Sequence, residues 1–224
     1  MRMEWDEGPH ERTWAIPDDF EAAAEQGSQR LDAILPADEE TSAATPEALE
    51  TYLNAMILMV SRHAQPLALI SIAVDETPLM RFLGSEGCML IGRAVARCIR
   101  QESRIHDVVA RARISETALT PTFLIACPLL SEEQAAALGE RMRDGMSAYA
   151  EDPDRPWLTL SVGIANLTLD IVDSSSLIAR ATDSLRRARR AGGSRVWRHS
   201  DTLRQIRDVQ DDDRIDEDRT EDTP

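Results

Sequence analysis

The sequence contains no lysine, only three cysteines and few aromatic side chains, and these shortages narrow what the protein can be. All 25 basic residues are arginine, and Phe, Trp and Tyr together make up 4% of the chain. Cys88, Cys98 and Cys127 lie inside apolar patterns and lack the CxxC spacing of zinc and redox sites. We therefore expect packed thiols in a reducing compartment, with neither disulfides nor zinc ligands.

Long apolar runs, targeting signals and common catalytic motifs are also missing. No stretch reaches the roughly 18 apolar residues of a membrane span, and the acidic N-terminus lacks the basic-then-apolar order of a signal peptide. No serine lies in a G-x-S-x-G motif, the glycines form no phosphate-binding fingerprint, and the four histidines have no metal-ligand spacing. These absences predict a cytoplasmic protein without membrane contact, metal or cofactor.

Negative charge is concentrated at the two ends of the chain. Residues 1–50 hold 14 acidic side chains against 3 arginines, and residues 201–224 hold 10 against 4. Neither end has enough apolar residues to offset the entropy of ordering. We predict an acidic, largely disordered extension over 1–45, one domain over 46–199 and an acidic disordered tail over 200–224. The tails serve either solubility or, through tryptophan and phenylalanine anchors, docking onto a partner.

Hydrophobic periodicity predicts alternating helices and strands between the tails, in the order α-β-α-β-β-α-β-α-β. The predicted segments are 46–63, 66–74, 85–103, 108–114, 123–130, 131–149, 157–167, 175–192 and 194–199. In the segment 85–103, Leu90 is expected on the buried face. The central βαββαβ is the ferredoxin-like arrangement, an α+β fold with an antiparallel-containing central sheet flanked by helices.

One predicted hairpin has an unusual tip. The strands at 108–114 and 123–130 are close enough in sequence to pair, yet the tip between them, from Ser115 to Pro121, contains no glycine. Tight hairpins favour Asn-Gly or Gly-Gly because those residues accept positive φ. The tip is therefore long and chemically unlike an ordinary turn.

Five sequence pieces in consistent order and spacing make residues 50–199 resemble a GGDEF domain, the diguanylate cyclase family, which condenses two GTP into cyclic di-GMP. The pieces are LALISIAVD, DVVAR, FLIACP, LTLSVGIA and ARATDSLRRARRAGGSRV. The resemblance implies the palm fold of nucleotidyl cyclases. It also places the family's GGDEF signature at the tip of the long hairpin.

The signature is degenerate in this chain. In the family, two glycines let backbone approach the GTP phosphates, and the carboxylates serve metal binding and catalysis. Counted without gaps, the five signature positions fall on Arg113, Ile114, Ser115, Glu116 and Thr117. Two bulky side chains replace the glycines, and only Glu116 matches the family.

The end of the first strand departs from the family as well. The family's Asp-x-Asp reads Ala73-Val74-Asp75 here, and Cys88 stands where a guanine-reading aspartate is expected. Magnesium on GTP needs carboxylate oxygens, which Ala73 does not offer, so Asp75 is interpreted as a strand-end residue. With the metal ligand, the glycines and the base reader replaced, the protein is predicted not to be an enzyme.

A second family feature is retained. Active members often carry RxxD five residues before the signature, a product-inhibition site for cyclic di-GMP, and Arg104 and Asp107 stand at that offset. Arginine can grip phosphate or guanine bidentately, and a carboxylate can accept from guanine N1 and N2. The alternative is that Asp107 only starts the strand while Arg104 is a solvated turn residue. Arg100, Arg111 and Arg113 add positive charge that suits a dianionic ligand.

These features predict a catalytically inactive GGDEF-like regulatory module, with cyclic di-GMP binding through Arg104 and Asp107 as the first hypothesis. The alternative is a nucleotide-independent protein adaptor that uses the fold and the acidic tails. A residual cyclase resting on Asp75 and Glu116 is the least favoured option. The expected partners are cyclic di-GMP and a protein, a second copy of the chain included. Nucleic acid is not expected, because the arginine run at 186–190 lies on an amphipathic helix and acidic tails repel phosphate.

Overall fold

The structure, a computed structural model, describes residues 30–78, 80–113, 119–150 and 158–205. A 3-10 helix at Leu31–Ile34 precedes the main elements. These are the helices α1 (Pro46–Arg62), α2 (Met80–Glu102), α3 (Glu132–Ala150) and α4 (Ser174–Arg190), and the strands β1 (Leu67–Val74), β2 (Val108–Arg111), β3 (Thr122–Pro128), β4 (Leu160–Asn166) and β5 (Val196–Arg198). Each helix and strand predicted from periodicity is present, in the predicted order.

The strands form one five-stranded sheet in the order β2-β3-β1-β4-β5. β1 pairs antiparallel with β3 and with β4, β2 pairs antiparallel with β3, and β5 joins parallel to β4. β1 is central and buried along its whole length, so its sequence is a continuous apolar run rather than an alternating pattern. This layout confirms the predicted α+β class and ferredoxin-like core.

Helices cover both faces of the sheet. α2 and α3 pack in one apolar cluster on one face, and α1 and α4 pack in a second cluster on the other. The prediction for Leu90 is wrong, because this side chain is exposed. The buried stripe of α2 runs through Cys88, Ile91, Val95 and Ile99, and each helical residue is turned about 100° from its neighbour.

Helix boundaries follow from local sequence. The side chain of Thr45 accepts a hydrogen bond from the Ala48 amide at the start of α1, and the side chain of Asp173 accepts from the Ser176 amide at the start of α4. Gly84, with a φ of 65°, interrupts α2 near its beginning. None of the described helices combines the length and the hydropathy needed to cross a membrane.

Residues 30–45, which composition assigns to the acidic extension, lie against the domain. Ala43 and Ala44 are fully buried, and Ala44 forms a parallel bridge with Ala110 of β2. The small side chains fit closely beside the edge strand, a contact that composition does not signal. At the other end, residues 199–205 are helical. The predictions for residues 1–29 and 206–224 lie outside the described residues.

Candidate functional site

The end of β1, where the resemblance places the metal ligands, is built as a structural junction. Ala73 is fully buried. Asp75 accepts hydrogen bonds from Thr159 Oγ1 at 2.8 Å, from Ser161 Oγ at 2.5 Å and from the Ser194 amide at 2.8 Å. Its carboxylate therefore ties the end of β1 to the beginning of β4 and to the turn before β5.

A magnesium ion does not fit the described residues at this junction. Mg²⁺ demands near-octahedral coordination by free oxygen ligands. In Asp75, Oδ2 already accepts from Thr159 and Ser194 and Oδ1 accepts from Ser161, while Ala73 supplies no oxygen. Across the described ranges, no group of three or more His, Cys, Asp or Glu side chains could hold a metal ion.

Arg189 reaches the same junction, although the sequence assigned it to a solvated helix face. Its Nη2 donates to the last carbonyl of β1 at 2.7 Å, and its Nε is buried with no hydrogen-bond partner among the described residues. The turn that follows has positive φ at Gly192, Gly193 and Ser194, which brings the Ser194 amide to the carboxylate at the end of β1. The helical spacing could have indicated this contact, because Arg189 directly follows Ala188, the last residue of the buried stripe of α4.

The hairpin tip is described only at its two ends. Four of the five positions to which the resemblance assigns the signature lie outside the described residues: Ile114, Ser115, Glu116 and Thr117. Arg113, the first position, is exposed and pairs with Glu47 and Glu50 of α1 at 3.0 and 2.9 Å. After the tip, the Leu119 amide donates to Glu76 Oε1 at 3.1 Å. The end of the hairpin tip therefore lies beside the end of β1.

The arginines expected to attract an anionic ligand already have partners. Arg111 contacts Asp38 and Glu40, both at 2.8 Å. Arg100 Nε lies 3.6 Å from Asp32 Oδ2. These acidic side chains come from residues 30–45, so the segment that packs beside β2 also neutralises much of the positive charge there.

The RxxD turn, residues 104–107, lies between α2 and β2. The side chain of Arg104 is exposed, and its Nη1 lies 3.4 Å from His106 Nε2. Asp107 is fully buried. Its Oδ2 accepts from the Arg104 amide at 2.8 Å, whereas its Oδ1 has no hydrogen-bond partner among the described residues. In this conformation Arg104 faces solvent and the Asp107 carboxylate does not.

Burial controls protonation around Asp107. It raises the pKa of the Asp107 carboxyl, although the Arg104 amide and nearby cationic groups act in the opposite direction. Burial, followed by the charge of Asp107, raises the pKa of Tyr52 to about 12 and that of the Cys127 thiol well above its ordinary value. These three groups share an environment that disfavours negative charge.

Replacing Asp107 with asparagine should change how stability depends on pH. In the folded state, the pKa of the Asp107 carboxyl is raised above its ordinary value of 3.8. The protonated carboxyl therefore makes its full contribution to the free energy of unfolding below pH 3.8, and this contribution is lost as the pH rises through the raised pKa. Asparagine does not titrate, so the free energy of unfolding of Asp107→Asn relative to the wild type should be higher at neutral pH than in acid. Urea unfolding of both proteins at about pH 3.5 and about pH 7 measures this change. An equal difference at both pH values would contradict the raised pKa.

Comparison with solved structures identifies the fold. No family model and no curated protein matches the sequence. The structure is similar to the GGDEF domain of DgcB from Caulobacter crescentus in complex with c-di-GMP, with a TM-score of 0.63 and 19% identity over 73% of this chain and 95% of that chain. The chain has the GGDEF-domain fold.

Two solved structures from Pseudomonas aeruginosa are also similar. Diguanylate cyclase SiaD in complex with its activator SiaC gives a TM-score of 0.65 and 22% identity, covering 80% of this chain and 65% of that chain. The GGDEF domain of FimX gives a TM-score of 0.60 and 21% identity, covering 71% of this chain and 97% of that chain.

The GGDEF-domain fold keeps the two candidate sites apart. Ala73 pairs with Thr122 at one end of the β1–β3 ladder, and Leu67 pairs with Pro128 at the other. β2 begins beside Ala126, close to the second end. At about 3.4 Å per residue, the β1 junction and the RxxD turn are separated by roughly 20 Å along the sheet. A ligand at the RxxD turn would therefore leave the β1 junction untouched.

Proposed function

We propose that this chain is a catalytically silent regulatory module with the GGDEF-domain fold. The observation that carries the proposal is the state of Asp75, whose carboxylate accepts hydrogen bonds from Thr159, Ser161 and Ser194. Oδ2 already accepts two of these bonds and Oδ1 accepts one, and Ala73 supplies no second carboxylate. Metal-assisted phosphoryl chemistry needs carboxylates to fix the ion. The module therefore acts through binding rather than turnover.

Incubation with GTP and Mg²⁺ tests the absence of catalysis. We expect neither cyclic di-GMP nor loss of GTP above a protein-free blank, with Mn²⁺ as a second metal. The reason is the missing carboxylate pair, since a divalent ion has no described ligand set at the end of β1. Cyclic di-GMP formation would overturn the proposal and direct attention to Asp75 and Glu116.

The ligand we propose is cyclic di-GMP, bound at the RxxD turn. Arg104 is exposed there, and its planar guanidinium suits a phosphate or the edge of a guanine. The similar GGDEF domain of DgcB forms a complex with c-di-GMP. Asp107 would have to turn outward to accept from guanine N1 and N2. The chain would then be a receptor, and a protein partner would recognise the conformation that this turn adopts with the ligand bound.

A nucleotide-independent adaptor is the second candidate, and an exposed apolar patch favours it. The patch lies on α1 and in the loop before α4 and consists of Leu58, Met59, Leu169 and Val172. The Ser174 amide donates to Asn54 Oδ1 at 3.1 Å, so this loop and α1 are neighbours. Contiguous exposed apolar surface is typical of protein contact sites. The similar cyclase SiaD is itself found with a protein activator.

Calorimetric titration of cyclic di-GMP into the full chain separates the two candidates. A receptor predicts saturable heat and at least about a tenfold loss of affinity in Arg104→Ala, because a charge-assisted bidentate contact is removed. Arg190→Ala removes an exposed arginine at the end of α4 and should bind like the wild type. No heat with cyclic di-GMP in the wild type or in any variant tested, including those described below, would overturn the receptor function and leave the adaptor.

A further inference from the structure

Arg30 holds the two flanks of the RxxD turn together. Its Nη1 donates to the carbonyls of Arg100 and Ser103 at 3.0 and 3.2 Å, and its Nη2 donates to the carbonyl of Asp107 at 3.3 Å. The first two acceptors lie at the C-terminal end of α2, where unpaired carbonyls and the helix dipole favour a cation. One guanidinium therefore joins the end of α2 to the start of β2 across the turn.

Asp32 fixes Arg30 in this position. Its Oδ1 accepts from Arg30 Nε at 3.1 Å, and the side chain of Asp32 is only 2% exposed. An ion pair with a buried partner is costly to break, because removing one member leaves the other charge unpaired. The Leu31 amide adds a hydrogen bond to the carbonyl of Ile105, inside the turn, at 2.9 Å. We name the pair of Arg30 and Asp32 the latch.

The closed turn keeps Asp107 in an unfavourable state. The carboxyl group is fully buried, and its Oδ1 has no hydrogen-bond donor among the described residues. Leaving such an oxygen unpaired costs stability, and burial accordingly raises the pKa of the group. A carboxylate turned outward would regain donors from water or from a ligand. The closed conformation therefore depends on contacts around Asp107, and Arg30 supplies one of them, the charge-assisted hydrogen bond to the Asp107 carbonyl.

We propose that the latch keeps the RxxD turn closed and that a dianionic guanine dinucleotide engages Asp107 only when the latch opens. The inference rests on the receptor function proposed above. Apparent affinity scales with the fraction of molecules in the binding-competent conformation. Any event that separates Arg30 from the carbonyls of Arg100, Ser103 and Asp107 would raise this fraction. Binding at the turn is thereby placed under the control of Arg30 and Asp32.

Two variants of the full chain test the latch, Arg30→Ala and Asp32→Asn. Arg190→Ala, at the opposite end of the sheet, is a control that matches the charge change of Arg30→Ala. Hydrogen exchange of the Arg104 and Asp107 amides reports opening of the turn without any ligand. Calorimetry with cyclic di-GMP reports affinity. We expect exchange at least about tenfold faster and affinity at least about fivefold tighter in both latch variants, with no change in the control.

The outcomes separate the latch from the receptor function. Exchange that stays at the wild-type rate in both latch variants would overturn the latch, whatever the ligand does. Faster exchange with weaker binding would also overturn it, because Arg30 would then belong to the ligand site. Faster exchange with no cyclic di-GMP binding in any protein would overturn the receptor function and confine the latch to a structural role. Faster exchange with tighter binding supports both.

Discussion

Gly163→Ala is expected to destabilise the domain by at least about 3 kcal/mol, lowering the melting temperature by roughly 10 °C. Gly163 lies on β4 where α4 packs against the sheet. A Cβ atom there would lie 2.0 Å from the Leu185 amide nitrogen and 2.4 Å from the Ala181 carbonyl oxygen. Both neighbours are backbone, so no side-chain rotation relieves the clash, and α4 must move as a unit. Thermal unfolding followed by circular dichroism measures the loss.

Gly145→Ala is the matched control for this substitution. Gly145 lies in α3, and a Cβ atom there would meet only Cys98 Sγ, at an ordinary contact distance of 3.5 Å. Alanine is favoured over glycine in a helix interior by about 0.5–1 kcal/mol, so this variant should gain slightly in stability. The same chemical change thus has opposite signs at the two positions. A loss of less than about 1 kcal/mol in Gly163→Ala would contradict the close β4–α4 contact.

Asp75→Ala is expected to cost about 2–3 kcal/mol in the free energy of unfolding. The substitution removes an acceptor used by Thr159, Ser161 and the Ser194 amide, and it frees the end of β1 from β4 and from the turn before β5. Asp75→Asn keeps one carbonyl oxygen and should lose less. Urea unfolding at neutral pH, analysed for midpoint and slope, measures both variants.

Asp183→Ala controls for the loss of one negative charge. Asp183 pairs only at the surface of α4, with Arg186 and Arg187 at 3.2 and 2.9 Å. Ion pairs at the protein surface contribute about 0–1 kcal/mol to the free energy of unfolding. If Asp75 served as a metal ligand without a structural role, Asp75→Ala would be no more destabilising than Asp183→Ala.

The order of elements was predictable because burial in this fold leaves plain patterns. β1 is covered on both faces and is a continuous apolar run, while α4 buries one stripe from Leu177 to Ala188 and exposes the other side. The prediction for Leu90 was wrong because, in the sequence, an apolar residue next to the buried stripe of a helix cannot be distinguished from a residue of that stripe. The packing of residues 30–45 could not be predicted, because small residues such as Ala43 and Ala44 carry little hydrophobic signal and their contacts are with distant β2.

The candidate site was predictable in composition but not in geometry. Sequence alone locates Ala73 and Asp75 at a strand end and Arg104 and Asp107 at a turn. It cannot show that both Asp75 oxygens are occupied, because their donors lie more than 80 residues away. The contact of Arg30 with the carbonyl of Asp107 spans 77 residues, and no spacing rule connects them. The inactive signature and the receptor role stay predictions.

The backbone pairing of Ala44 also decides how the sheet meets other polypeptides. Its amide donates to the carbonyl of Val109 and its carbonyl accepts from the amide of Arg111, both at 2.9 Å. These outward groups of β2 are thus satisfied within one molecule. An uncovered edge strand is a template for intermolecular pairing, the first step of domain swapping and fibril growth. A chain that begins at residue 46 would lose this cover, so the pairing of Ala44 protects β2 against self-association.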